Sequence, residues 1–116
     1  MTANKRTVQR YLDGFTRSDH AQILSCLTDD VEWEMPGFIH LRGKEAFDRE
    51  IENDAFTGSP VITTIRLVEE NDVVVAEGEV QAKRKDGRLL DALFCDVFEM
   101  QDGLIRRLST YQMDAK

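Results

Sequence analysis

Leu89–Met100 reads LLDALFCDVFEM, and it decides the fold because it is apolar on both faces at a period of two. Ala92, Phe94, Asp96, Phe98 and Met100 alternate along one face, and Leu93, Cys95 and Val97 lie along the other. A strand apolar on both faces is usually covered on both sides, so this stretch is expected to be a central strand of a sheet. It also sets a carboxylate, Asp96, among large apolar side chains. An ionised carboxylate in such a place is paired, hydrogen-bonded or kept neutral by a raised pKa. Two readings stay open here. Asp96 is either a structural acid bonded to a Tyr or a backbone amide, or a perturbed carboxyl in a cleft and so a candidate for function.

Working outward, Asp86-Gly87 precedes this strand and Gln101-Asp102-Gly103 follows it. Asp-Gly between two strand-like runs is a strong short-range hairpin signal. Val61–Glu69 and Val73–Lys83 flank Asn71-Asp72, and Leu104–Met113 closes the series, so the last four strands are expected to form an antiparallel meander. Earlier in the chain the period changes. Val31, Trp33 and Met35 alternate with Glu32 and Glu34 as a half-buried strand, its acids facing water, ended by Pro36-Gly37. Before it, Val8, Tyr11, Leu12 and Phe15 fall at i, i+3, i+4 and i+7, the core stripe of an amphipathic helix. Thr2 or Asn4 caps this helix and Gly14 weakens its end. Asp19 with Gln22 starts a short second helix that carries Ile23, Leu24 and Leu27 inward. Phe38–Arg42 reads as a connector, Gly43 to about Ala55 as a third helix, and Phe56–Pro60 as a loop. The order α-α-β-α-β-β-β-β predicts an α+β domain with its helices on one face of the sheet.

At 116 residues the chain is a single domain, 1–116, with room for one core. A formal charge of −7 and a pI near 4.8 argue against nucleic acid as a partner, since phosphate binding needs a basic face. Lys83, Arg84 and Lys85 precede Asp86-Gly87 and read as the solvated end of a hairpin. Cys26 and Cys95 sit in apolar contexts without metal-ligand spacing and read as buried thiols of a reducing compartment. No apolar run approaches the ~20 residues of a membrane span, and MTANKRTVQR has no signal-peptide core, so a cytoplasmic protein is expected. With no Gly-rich phosphate loop and no HExxH motif, no cofactor and no metal are expected.

Four segments together resemble a known family: VQRYLDGFTRSD (8–19), LTDDVEWEMPG (27–37), LRGKEAF (41–47) and FCDVFEMQDGLI (94–105). Their order and spacing are similar to the nuclear transport factor 2-like fold, which includes ketosteroid isomerases, SnoaL-like polyketide cyclases and epoxide hydrolases. The resemblance implies three N-terminal helices packed as a cone on a curved, mainly antiparallel sheet, with a pocket at the wide end. In ketosteroid isomerases a Tyr on the first helix and a protonated Asp on the penultimate strand hold a substrate oxyanion. Carried over, these are Tyr11 and Asp96, the expected catalytic pair. The resemblance also places a proton-shuttling Asp just before the Pro of the first strand. This chain has Met35 there, so steroid isomerisation is not expected.

The implied ligand is a small, largely apolar molecule with a carbonyl or hydroxyl oxygen, lined by Trp33, Met35, Phe15, Phe94 and Phe98. His40 from its connector, and Tyr111 with Arg107 from the last strand, are further pocket candidates. Arg66 and Glu77 are expected to pair across strands, either in the pocket or on the open sheet face. Isomerase, cyclase or hydratase-like turnover and non-catalytic binding both fit this set. An apolar outer face at Leu93, Cys95 and Val97 predicts a homodimer through the outer face of the sheet, or an interaction module.

Overall fold

The computed structural model describes residues 1–52 and 56–115. Its elements run α1 (Ala3–Arg17), α2 (His20–Leu24), β1 (Leu27–Met35), β2 (Ile39–Arg42), α3 (Lys44–Ile51), β3 (Phe56–Glu70), β4 (Val73–Arg84), β5 (Leu89–Gln101) and β6 (Leu104–Asp114). The strands form a six-stranded sheet in the order β2-β1-β6-β5-β4-β3, antiparallel except for the parallel pair β1 and β6. β5 is thus interior to the sheet, as its two apolar faces predict. The antiparallel meander from β3 to β6 is present, with register shifts in the β3–β4 and β5–β6 pairs.

Local chemistry accounts for the ends and turns. Thr2 caps α1 by accepting from the Lys5 N–H at 3.1 Å, and Asp19 caps α2 through the Gln22 N–H at 3.0 Å. Asn71 and Asp72 both take positive φ, as do Asp102 and Gly103, the backbone that a tight two-residue hairpin requires. Val8, Tyr11 and Leu12 turn inward from α1, each contributing about 1.5–3 kcal/mol of apolar burial. Gly14 has a specific role: a Cβ there would sit 2.7 Å from the Ile23 side chain, so the glycine is what lets α1 and α2 close on each other.

Three expectations need correction. The connector 38–42 carries a short edge strand, β2, which pairs Ile39 with Met35 and Leu41 with Trp33. The segment Phe56–Pro60 is the start of β3 rather than a loop: a register shift between Thr57 and Val61 absorbs Gly58 and Pro60 on an edge strand, where a missing N–H is tolerated. The third helix starts as expected and ends at Ile51; Ala55 lies outside the described residues.

The core sits between the inner face of the sheet and the helices. Phe47 of α3, Phe98 of β5, Ile105 and Leu108 of β6 and Val31 of β1 are fully buried there. On β5 the phase is as the sequence predicts, with Ala92, Phe94, Phe98 and Met100 buried and Leu93 exposed on the other face.

Candidate functional site

The inner face of the sheet and α1 line an open cavity of about 140 Å³. Its apolar wall includes Phe15, Trp33, Met35 and Phe94. Tyr11, Asp96, Thr110 and Gln112 supply its polar groups. A wider vestibule of about 500 Å³ shares Trp33, Met35, Pro60, Val80 and Gln112 with it and continues toward α3 and the start of β3.

The aromatic wall is held from behind. Trp33 stacks on Phe47 with ring centroids 4.8 Å apart, and its indole N–H donates to Thr110 Oγ1 at 3.0 Å in a buried bond. Tyr11 lies edge-on to Phe15 at 5.1 Å and to Phe98 at 5.4 Å. Such contacts fix rotamers as well as adding about 0.5–1.5 kcal/mol per aromatic pair.

Asp96 is only 7% exposed, and its Oδ1 is buried with no hydrogen-bond partner among the described residues. Burial pushes the carboxyl up to about 7, opposed by the hydroxyl of Thr110, which faces Asp96 directly across the β5–β6 ladder. Near neutrality this group is therefore divided between an acid that donates a proton and a carboxylate that accepts one. Tyr11 is 3% exposed, and burial first, then the charges of Asp96 and Cys26, hold its phenol well above the ordinary range. It is a neutral donor throughout the physiological range. Two donors on one cavity wall can hold an oxygen on which negative charge develops.

The structure brings Tyr11, Phe15, Trp33, Met35, Phe94 and Asp96 to this one cavity. Phe98 lies one layer deeper, packed against Tyr11 in the core rather than on the cavity wall. His40 is on the opposite face of the sheet, its side chain 81% exposed and 3.9 Å from Glu34. Tyr111 and Arg107 also face outward. Arg107 contacts Glu32 at 2.6 Å, Glu34 at 3.6 Å and Glu99 at 3.5 Å, so these acids of β1 are half-buried partners of an arginine rather than a solvated pair. Arg66 and Glu77 pair at 2.7 Å on the same open face.

The outward turn of Tyr111 and Arg107 has a definite cause. Glu99 pairs with Arg107 and Met100 with Ile105, leaving Arg106 unmatched as a β-bulge that flips the phase of everything after it. Leu108, Thr110 and Gln112 consequently face inward, and Thr110 and Gln112 are the site residues that sequence reasoning missed. The available signal was the doublet Arg106-Arg107 between apolar Ile105 and Leu108, which breaks strict alternation.

Among the described residues no group of three or more His, Cys, Asp or Glu side chains is arranged to hold a metal ion. Both cysteines are free, Cys26 buried and Cys95 partly so. No helix of the described residues is long and apolar enough to cross a membrane.

The SnoaL-like domain model matches residues 8–108. No curated protein matches the sequence. Among solved structures, Bal32a from a soil-derived mobile gene cassette superposes with a TM-score of 0.87 at 22% identity, covering 97% of this chain and 90% of that one. An NTF2-like protein of Burkholderia pseudomallei gives 0.85 at 21% identity, covering 96% and 91%. An LEH-like epoxide hydrolase of M. tuberculosis gives 0.84 at 21% identity, covering 96% and 83%. At these identities the likeness is one of fold.

Proposed function

The chain belongs to the SnoaL-like domain family, and from that premise we propose that it binds a small, largely apolar molecule in the cone and holds its carbonyl or hydroxyl oxygen between Tyr11 and Asp96. The observation that carries this reading is the unpartnered Oδ1 of Asp96 at the cavity wall. Leaving a buried polar atom unpaired costs about 1–3 kcal/mol, a cost that a ligand hydroxyl or enol removes. Acid–base turnover of the isomerase, cyclase or hydratase kind fits an Asp that titrates near neutrality. With Met35 in the position that the steroid isomerases give to a base, Asp96 has to move the proton itself, which makes steroid isomerisation the wrong reaction to expect. A non-catalytic binder would use the same two donors and lack the turnover.

Titrating phenol, as a planar enolate mimic, into the parent protein and into Tyr11→Phe and Asp96→Asn tests the reading. Each variant is expected to bind about 1–3 kcal/mol more weakly. Equal binding by all three proteins would return Tyr11 and Asp96 to core packing.

A second proposal concerns the outer face. Ile65, Val68, Leu93, Tyr111 and Met113 are exposed around an open groove of about 480 Å³, an apolar cluster of the kind that marks an interaction surface. We propose that a second copy of the chain covers it. Sedimentation at micromolar concentration is expected to give a dimer, and a monomer there would remove the proposal.

A further inference from the structure

The shape of the site restricts the ligand further, on the reading that its oxygen sits against Asp96. The inner cavity, at about 140 Å³, is close to the ~150 Å³ that holds one benzene ring in an engineered protein cavity. It has little freedom to swell, because Trp33 is pinned by Phe47 and Thr110 and Tyr11 is wedged between Phe15 and Phe98. A second fused ring exceeds this volume and has to project out of the cavity.

Tyr11 and Asp96 line the inner cavity and not the vestibule, whereas Ala82 and Leu90 line the vestibule and not the inner cavity. On β5 the six residues from Asp96 back to Leu90 span roughly 20 Å at about 3.3 Å each, so the cavity and vestibule succeed one another along the strands. Leu90 and Ala82 are paired partners, and with Phe38, Ile51 and Phe56 they form an apolar part of the vestibule, which Ser18, Glu50 and Glu52 also line. A ring with its oxygen against Asp96 therefore extends a substituent into the vestibule most directly from the opposite carbon.

We infer that the site takes a monocyclic molecule bearing its oxygen at one end and an unbranched apolar chain para to it, with the ring in the inner cavity and the chain in the vestibule. The isomers 4-propylphenol and 2-propylphenol have the same composition and nearly the same hydrophobicity, so their affinity ratio reports geometry alone. Trp33 is the only tryptophan of the chain and lies on the cavity wall, so its fluorescence reads occupancy directly.

The para isomer is expected to bind at least tenfold more tightly than both phenol and the ortho isomer. Ala82→Phe, which narrows the vestibule, is expected to remove most of the advantage of 4-propylphenol over phenol. Equal or reversed affinities of the two isomers on the parent protein, with phenol still bound and still weakened by Asp96→Asn, would overturn this inference and leave the oxygen-holding site standing. Failure of phenol to bind at all would overturn both.

Discussion

The two faces of the sheet treat their carboxylates in opposite ways. On the outer face Glu32, Glu34 and Glu99 converge on one guanidinium, that of Arg107, and each is about a third exposed or more. On the inner face Asp96 stands among aromatic rings with one oxygen unpartnered and no cation beside it. The two arrangements share strands β5 and β6: Glu99 and Arg107 are a ladder pair, and Asp96 and Thr110 are another three positions along. The outer acids are neutralised by charge and the inner one by a proton. A proton can be exchanged with a ligand and an arginine cannot, so of these two arrangements only the inner one offers a group for acid–base exchange.

The largest effect that separates the two faces is expected at Asp96. Its folded-state value of about 7 lies above the 3.8 of an unperturbed Asp, so between these values the folded chain keeps a proton that the unfolded chain has released. Stability therefore falls as pH rises through that window, by about 4 kcal/mol for a shift of this size, and levels off above it. Asp96→Asn removes the titration. Its stability relative to the parent is expected to rise by about 4 kcal/mol between pH 4 and pH 8, measured by urea unfolding at the two pH values. A pH-independent difference would mean that the carboxylate has a partner, and the contrast between the faces would collapse.

A smaller effect is expected on the outer face. Arg107→Met leaves three neighbouring carboxylates without their shared cation. Because the group is only half-buried, the loss is expected near 1–2 kcal/mol at pH 8 rather than the 3–5 of a fully buried pair. Urea unfolding in 1 M salt should shrink that loss, since exposed charge repulsion is screened over about 3 Å there. The same salt should leave the Asp96→Asn difference nearly unchanged, because desolvation rather than a neighbouring charge sets it. If both differences respond to salt alike, the outer face is not the solvated counterpart drawn above.

Much of this was legible from sequence, for identifiable reasons. The double-faced apolarity of Leu89–Met100 fixes β5 inside the sheet, and the Asp-Gly turns on either side fix its neighbours, because these signals are local and repeat at the strand period. Tyr11 and Asp96 reach one cavity because each sits on the inward phase of an unbroken element. The failures occur where the period is interrupted. The bulge at Arg106 turned Tyr111 away from the cavity and Thr110 toward it, although nothing before Arg106 changes. The strand at Ile39–Arg42 depends on the edge offered by β1, and that at Phe56–Pro60 on the edge offered by β4. Neither partnership leaves a mark within the short segment itself. His40 was misplaced for the same reason: as part of a strand paired with Glu34 it takes the outward face.

The parallel pairing of β1 with β6 has a consequence for how the molecule comes to exist. Trp33, near the start of the sheet, finds the acceptor for its indole in Thr110, 77 residues later. Among its sequence neighbours β1 has only the short β2 to pair with, and its other edge waits for the last strand, a contact of a separation that is closed late and slowly. During synthesis the helices and β1 emerge with an apolar face that has no sheet to cover it, which is the interval in which a chain of this kind is most exposed to aggregation. The cavity is accordingly among the last things to form, and a chain that folds at all has already assembled the wall on which Asp96 stands.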